Sequence, residues 1–291
     1  MWLADKWEDY VLLDAANAEK VERWGKYILR RPDPLAIWTQ KTDKAPWVHP
    51  DGFYHRSSSG GGKWEIMNKK LPDRWKVKYR DLTFNVKPMG FKHTGLFPEQ
   101  ATNWDWFSEI LKNAKTEQKP KVLNLFAYTG GATVAALAAG AEVVHVDASK
   151  GMVTWAKENV ISSGLAEASI RYIVDDVKKF VAREARRGHK YDGIIMDPPS
   201  YGRGPSGELW KIEAELYPLI ETCMEIMSDS PLFFLVNCYS AGLSNVTLEN
   251  VINMTICNRF GGSVKVDEIG LPIGKSGYNF PCGMSARWQG R

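Results

Sequence analysis

From Lys121 to Cys238 the chain alternates short apolar runs with longer segments whose apolar residues recur at helical spacing. The runs Lys121 to Phe126, Glu142 to Asp147, Ser169 to Val174, Asp192 to Met196 and Leu232 to Cys238 are too short for buried helices and predict strands. The intervening segments predict helices at Ala132 to Ala139, Lys150 to Ser163, Val177 to Arg187 and Gly207 to Met227. Two more are predicted at Glu99 to Ala114 and Asn245 to Arg259. Strands and helices in alternation imply an α/β fold, a mostly parallel sheet covered on both faces. Ahead of Pro98 the texture differs: short runs at Lys26 to Arg31, Leu35 to Gln40, Gly52 to Arg56, Lys63 to Asn68, Arg74 to Tyr79 and Leu82 to Lys87 predict strands and turns. Ser57-Ser58-Ser59-Gly60-Gly61-Gly62 among them predicts a hairpin end or exposed loop. The chain therefore divides, by pattern, into a small β-rich domain over residues 1–90 and an α/β domain over residues 91–291.

Charge sharpens this division. The net charge is +4, yet Lys20 to Gly90 holds 16 Lys or Arg against 7 Asp or Glu, an excess of nine, so the remainder is net acidic. Trp24, Trp38, Trp47, Trp64, Trp75, Tyr27, Tyr54, Tyr79, Phe53 and Phe84 lie in the same segment. Basic residues interleaved with aromatics suit a polyanion whose bases can stack. The competing reading is that a thin β domain needs large aromatics to fill its core and that the charges are solvated. Cys223, Cys238, Cys257 and Cys282 form no CxxC pair, which implies neither a zinc knuckle nor a disulfide framework. His93, His145 and His189 are not spaced as metal ligands, so no metal is expected. Without an apolar run of membrane-spanning length or a signal-like start, the expectation is a cytoplasmic protein with no membrane partner; the oligomeric state is open.

The chemistry concentrates at the ends of the predicted strands. Asn124-Leu125-Phe126-Ala127-Tyr128-Thr129-Gly130-Gly131 leads from a strand through a glycine turn into the helix beginning near Ala132, the opening of a nucleotide-binding βα unit. Adjacent glycines permit close backbone approach and the helix start offers unpaired N–H groups. The turn lacks the full G-x-G-x-x-G fingerprint, which points away from a dinucleotide. Asp147, followed by Ala148, ends the next strand, where a carboxylate can take both hydroxyls of a ribose. Asp175-Asp176-Val177 and Asp197-Pro198-Pro199-Ser200-Tyr201 end two later strands. Each Asp taken alone also reads as a helix N-cap; their order behind a glycine turn favours a cofactor site.

On these residues the chain resembles the class I S-adenosylmethionine (SAM) dependent methyltransferases, and within them the bacterial large-subunit ribosomal RNA methyltransferases. The resemblance covers about Phe91 to Arg291 and includes His93-Thr94-Gly95-Leu96-Phe97-Pro98-Glu99-Gln100, similar to an element that branch carries just before its catalytic domain. It implies a Rossmann-like fold with an antiparallel last strand, Ser263 to Ile269 and Pro281 to Gln289 forming the closing antiparallel pair. It also implies SAM as cofactor, a base in structured RNA as substrate with ribosomal RNA foremost, and a cofactor set comprising Thr94, Gln100, Asn124, Phe126 to Ala132, Asp147, Ala148, Asp175, Asp176, Val177 and Asp197.

The acceptor is expected at Asp197 to Tyr201, because two prolines hold the backbone extended and can aim carbonyls at a flat base. In the amino methyltransferases a similar tetrad ends in a stacking aromatic; here Ser200 takes that place and Tyr201 follows. Cys238 raises a second chemistry, since methylating cytosine C5 requires a thiolate to add at C6. The cytosine enzymes that this chain resembles carry Ser-Cys-Ser there, against Asn237-Cys238-Tyr239-Ser240 here. A strand-ending cysteine also reads as a buried small hydrophobe. A ring nitrogen would need no nucleophile, only a lone pair held in line. Two other readings stay open: a methyltransferase for a protein or small molecule, and an RNA-binding protein that keeps the fold without turnover.

Overall fold

The computed structural model describes residues 1–57, 61–203, 209–240 and 242–290. The chain packs as two compact units, one comprising Trp2–Ala101 and Ile269–Cys282, the other Thr102–Glu268 and Gly283–Arg291 with Met1. The pattern-based division at residue 90 falls within the first unit, which also takes in the tail segment 269–282.

In the β-rich unit the strands are β1 (Trp2–Leu3), β2 (Tyr10–Ala16), β3 (Glu19–Trp24), β4 (Tyr27–Pro32), β5 (Gly52–Arg56), β6 (Gly62–Ile66), β7 (Trp75–Tyr79) and β8 (Leu82–Val86). β2 to β6 form one sheet in chain order, antiparallel except for the β4–β5 pair, and β7–β8 is a separate hairpin. β2 and β3 were not predicted, because two of their inward positions are carboxylates. Glu22 is fully buried, taking Arg31 Nε at 2.6 Å and Nη2 at 2.7 Å and the Tyr10 hydroxyl at 2.8 Å. Burial alone would raise its carboxyl; Arg31 and Lys20 overcome that and hold it down at about 2. Asp14, also buried, accepts from Thr42 Oγ1 and Trp47 Nε1, each at 2.7 Å.

Residues 35–40, expected as a strand, form none. Pro32 and Pro34 lie just ahead and supply no N–H. The Trp38 and Ala36 carbonyls instead accept at 2.7 Å from Asn17 and Ala18, which turn β2 into β3 in the left-handed region (φ 54° and 57°). Trp24, Tyr27, Trp47, Tyr54, Tyr79 and Phe84 are buried, so most of the aromatics expected to meet RNA bases fill the core of this unit instead. The basic residues Lys63, Lys69, Lys70, Arg74, Lys76, Lys78 and Arg80 are exposed. The expected loop at Ser58, Ser59 and Gly60 lies outside the described residues.

The α/β unit runs α1 (Ala101–Asn113), β9 (Lys121–Leu125), α2 (Gly131–Ala138), β10 (Glu142–Asp147), α3 (Lys150–Ser162), β11 (Ile170–Val174), α4 (Val177–Arg186) and β12 (Gly193–Met196). It continues through β13 (Tyr201–Arg203), β14 (Leu209–Lys211), α5 (Ile212–Met224), β15 (Phe233–Cys238), α6 (Asn245–Ile252), a π turn at Asn253–Cys257, α7 (Asn258–Phe260), β16 (Ser263–Pro272) and β17 (Asn279–Gln289). Its strands lie in the order β16-β17-β15-β12-β9-β10-β11; β15 to β11 are parallel and β17 is antiparallel to β15. The central parallel strands are largely apolar because both faces are covered, whereas the edge strand β11 is half-exposed, with Arg171 and Val174 open to solvent. Leu123, Leu125, Val146, Ile194, Met196, Phe234 and Val236 pack with Phe180, Leu219 and Ile220 of the flanking helices. Where a helix was expected from residue 207, residues 209–211 pair with 201–203 as a hairpin, and α5 begins only at Ile212, whose N–H donates to the Ser200 carbonyl at 3.1 Å. From β9 the chain winds outward through β10 and β11, then returns to β12 on the other flank of β9. That reversal opens a crevice at the carboxyl ends of β9 and β12, the switch point where such sheets bind ligands.

Candidate active site

Two loops border this crevice, 126–130 after β9 and 197–200 after β12. The first is strained. Phe126 and Tyr128 are both left-handed (φ 54° and 50°), which costs bulky side chains about 1–3 kcal/mol each unless the surroundings impose it. The surroundings do. Ala127 N–H donates to the Val146 carbonyl at 3.0 Å, and Tyr128 N–H to Asp147 Oδ2 at 2.8 Å. The other Asp147 oxygen accepts from Ser149 N–H at 2.8 Å, so this one carboxylate ties the loop to the end of β10. The Asn159 side chain, fully buried on α3, donates to the Thr129 carbonyl at 2.8 Å.

The glycines answer to packing. Gly130 caps α2 at φ 81°, and a Cβ there would lie 2.8 Å from the Ala156 Cβ; one on Gly131 would lie 2.7 Å from the Trp104 ring. Ala132 is half-buried in the first turn of α2. Asn124 is buried: its amide donates to Thr133 Oγ1, which in turn meets His145 Nδ1, each at 2.9 Å. Burial of that imidazole lowers its pKa to about 4, keeping it neutral.

Asp147 is half-buried, and its carboxyl is raised above the ordinary value by burial, which the two N–H groups oppose. Each of its oxygens keeps a second lone pair, so a bound diol fits without releasing the loop. Ala148 is exposed beside it. Asp176 caps α4, accepting from Lys179 N–H at 2.9 Å. Asp175 takes its own neighbour's N–H at 2.9 Å and Arg183 Nη2 at 2.6 Å, and Val177 is buried. Capping and ligand binding are therefore compatible at Asp176, and Asp175 bridges its neighbour's N–H and Arg183. Thr94 and Gln100 belong to the β-rich unit, where both are buried.

In the second loop Asp197 is half-buried, Pro198 buried, Pro199 and Ser200 exposed, and Tyr201 presents 57% of its surface. The Pro199 carbonyl accepts from Trp210 Nε1 at 2.5 Å. Trp210 and Asn159 were not singled out by sequence; a buried Asn within the apolar stripe of α3 was the available signal for the second. Cys238 is fully buried in the core. Its thiol is pushed up by burial; a Ser240 N–H opposes this and the Asp197 and Glu213 carboxylates add to it. Among the described residues no group of three or more His, Cys, Asp or Glu could hold a metal ion, and no helix is long and apolar enough to cross a membrane. A cavity of about 480 Å3, lined by Trp106, Glu109, Asn113, Leu232 and Gln289 among others, opens where β15 begins, the wrong end of the sheet for this crevice.

The profile of the S-adenosylmethionine-dependent methyltransferase family matches residues 53–211. The chain belongs to that family. A SAM-dependent methyltransferase from Agrobacterium tumefaciens of known crystal structure is 35% identical, with a TM-score of 0.93 over 99% of this chain and 93% of that one. Ribosomal RNA large subunit methyltransferase K/L of Syntrophotalea carbinolica is 27% identical over 72% of this chain, and that of Shewanella frigidimarina 25% identical over 92%. The chain spans only 29% and 36% of those two relatives' lengths. The cofactor of this methyltransferase is SAM, and the acceptors at the strand ends suit its ribose hydroxyls, an Asp147 carboxylate with spare lone pairs above all.

Proposed function

We propose that this methyltransferase acts on a base in structured RNA, with ribosomal RNA foremost, and that it methylates a nitrogen rather than cytosine C5. The observation that carries the reading is the placement of Asp147, Asp176 and Asp197 at or just beyond the carboxyl ends of β10, β11 and β12, in the sheet on either side of β9. When bound, SAM supplies a methyl group on a sulfonium, open to direct displacement by a lone pair. The chain's part is alignment and exclusion of water. Asp147 would hold the ribose hydroxyls, Asp176 and the Val177 N–H the adenine edge, and the loop from Phe126 to Gly131 the methionine portion. Asp197 to Ser200 would orient the acceptor base, with the exposed Tyr201 ring available to stack on it once it is unstacked from its helix.

Cys238 favours nitrogen. Burial pushes its thiol up and so disfavours the thiolate that attack on cytosine C6 demands. The RNA reading draws on the relatives' ribosomal RNA names and on the exposed basic run from Lys63 to Arg80.

The test is methyl transfer from labelled SAM to ribosomal RNA from a strain lacking this protein, followed by nucleoside mass spectrometry. A base methylated at nitrogen is expected. Absence of any RNA product from protein that binds SAM would overturn the substrate, and 5-methylcytosine would overturn the chemistry.

A further inference from the structure

Both crevice loops meet on one side chain. Trp210 lies in β14, where its backbone is paired with Gly202, and its half-buried ring packs against the core. Its indole N–H donates to the Pro199 carbonyl at 2.5 Å, in the loop read as holding the acceptor. Its ring meets that of Phe126 with centroids 5.2 Å apart and planes inclined at 58°. Phe126 is one of the two left-handed residues of the cofactor loop (φ 54°), a conformation that a bulky side chain keeps only where its neighbours enforce it.

We propose that Trp210 is a positioning residue, setting the acceptor loop against the cofactor loop by holding Pro199 with its N–H and Phe126 with its ring. The acceptor half of the inference rests on the function proposed above; the hold on Phe126 does not. Displacement at a methyl group is sensitive to the placement of donor and acceptor, so one rigid aromatic touching both loops fixes the relation on which the rate depends.

The two contacts separate by mutation. Trp210→Phe keeps a ring against Phe126 and removes the N–H, whereas Trp210→Leu removes both. The measurements are calorimetric affinity for S-adenosylhomocysteine and single-turnover methyl transfer to RNA, with circular dichroism confirming the fold of each variant. Trp210→Phe should bind within about twofold of the parent yet transfer about tenfold more slowly, and Trp210→Leu should also bind about tenfold more weakly. A folded Trp210→Leu that binds like the parent, or a Trp210→Phe that transfers at the parental rate, would overturn the inference. A parent protein that binds S-adenosylhomocysteine but methylates no RNA would overturn the proposed substrate instead, and the affinity of Trp210→Leu would still decide whether Trp210 holds the cofactor loop.

Discussion

Asp147 carries two tasks that a single substitution can pull apart. Its oxygens accept from Tyr128 and Ser149 N–H, each at 2.8 Å. Alanine removes both bonds. Ser149 is exposed and finds water, but Tyr128 is half-buried and left-handed, so the cost falls mainly on one charge-assisted bond, about 1.5–3 kcal/mol. At about 2–4 °C per kcal/mol for a unit of this size, melting drops by several degrees without loss of fold. Binding loses more, because the acceptor of the ribose hydroxyls goes and the loop loosens. A further 1.5–3 kcal/mol corresponds to about a 10- to 150-fold weaker SAM affinity. The carboxyl also sets a pH dependence. Burial raises its pKa in the free protein, so the pH-dependent part of its effect on stability is most favourable below the ordinary aspartate value and is lost as pH rises through the raised one. Hydroxyl donors favour the ionised form, so SAM affinity should rise with pH across that same window, and Asp147→Asn should abolish the rise. Calorimetric titration of SAM at several pH values, beside thermal melts, reads both effects. An Asp147→Ala protein that stays folded and binds SAM within about twofold of the parent would refute the reasoning.

Cys238→Ala should keep turnover within about threefold, since the thiol only fills space, and the parent should form no covalent adduct with 5-fluorocytosine RNA; an inactive, folded Cys238→Ala would reverse the choice of atom. Lys69, Lys70, Arg74 and Lys76 are exposed, and replacing all four by Gln should cut the slope of log affinity for RNA against log salt by up to about three or four; an unchanged slope would make this a merely solvated face. Glu22, held down to about 2 against an ordinary value of 4.5, contributes on the order of 3 kcal/mol above that range, lost as pH falls through it. Glu22→Gln should therefore melt lower at neutral pH and show a flatter acid limb, whereas identical melting curves down to pH 2 would show the buried pair to be neutral in stability.

What sequence made legible, and what it hid, follows from where polar groups lie. The central parallel strands β9, β10, β12 and β15 are mostly apolar because both faces are covered, so a short run announced each of them; the edge strand β11 is half-exposed and was announced by its run all the same. The residues ending those strands were readable for the same reason: an Asp that closes a buried run stands at the rim, where ligands gather. β2 and β3 escaped because Asp14 and Glu22 face inward, and no hydrophobic pattern assigns a carboxylate to a core; only the partners Arg31, Tyr10, Thr42 and Trp47, distant in sequence, make those positions tenable. The pairing of residues 201–203 with 209–211 escaped for a related reason. Leu209, Trp210 and Ile212 read as the first turn of an amphipathic helix, yet the Pro199 carbonyl, the backbone of Gly202 and the ring of Phe126 claim Trp210 for the crevice. The glycine turn was read correctly in place but for only part of its reason. Gly130 and Gly131 are required by Ala156 and Trp104 whether or not a ligand is bound, and the strain that marks the loop rests on Phe126 and Tyr128 instead. That two bulky residues are held left-handed, Tyr128 by the Asp147 carboxylate and Phe126 against Trp210, is invisible to composition or periodicity. It is nonetheless the feature of this loop that most needs a function to explain it, since packing alone would be served by a relaxed turn.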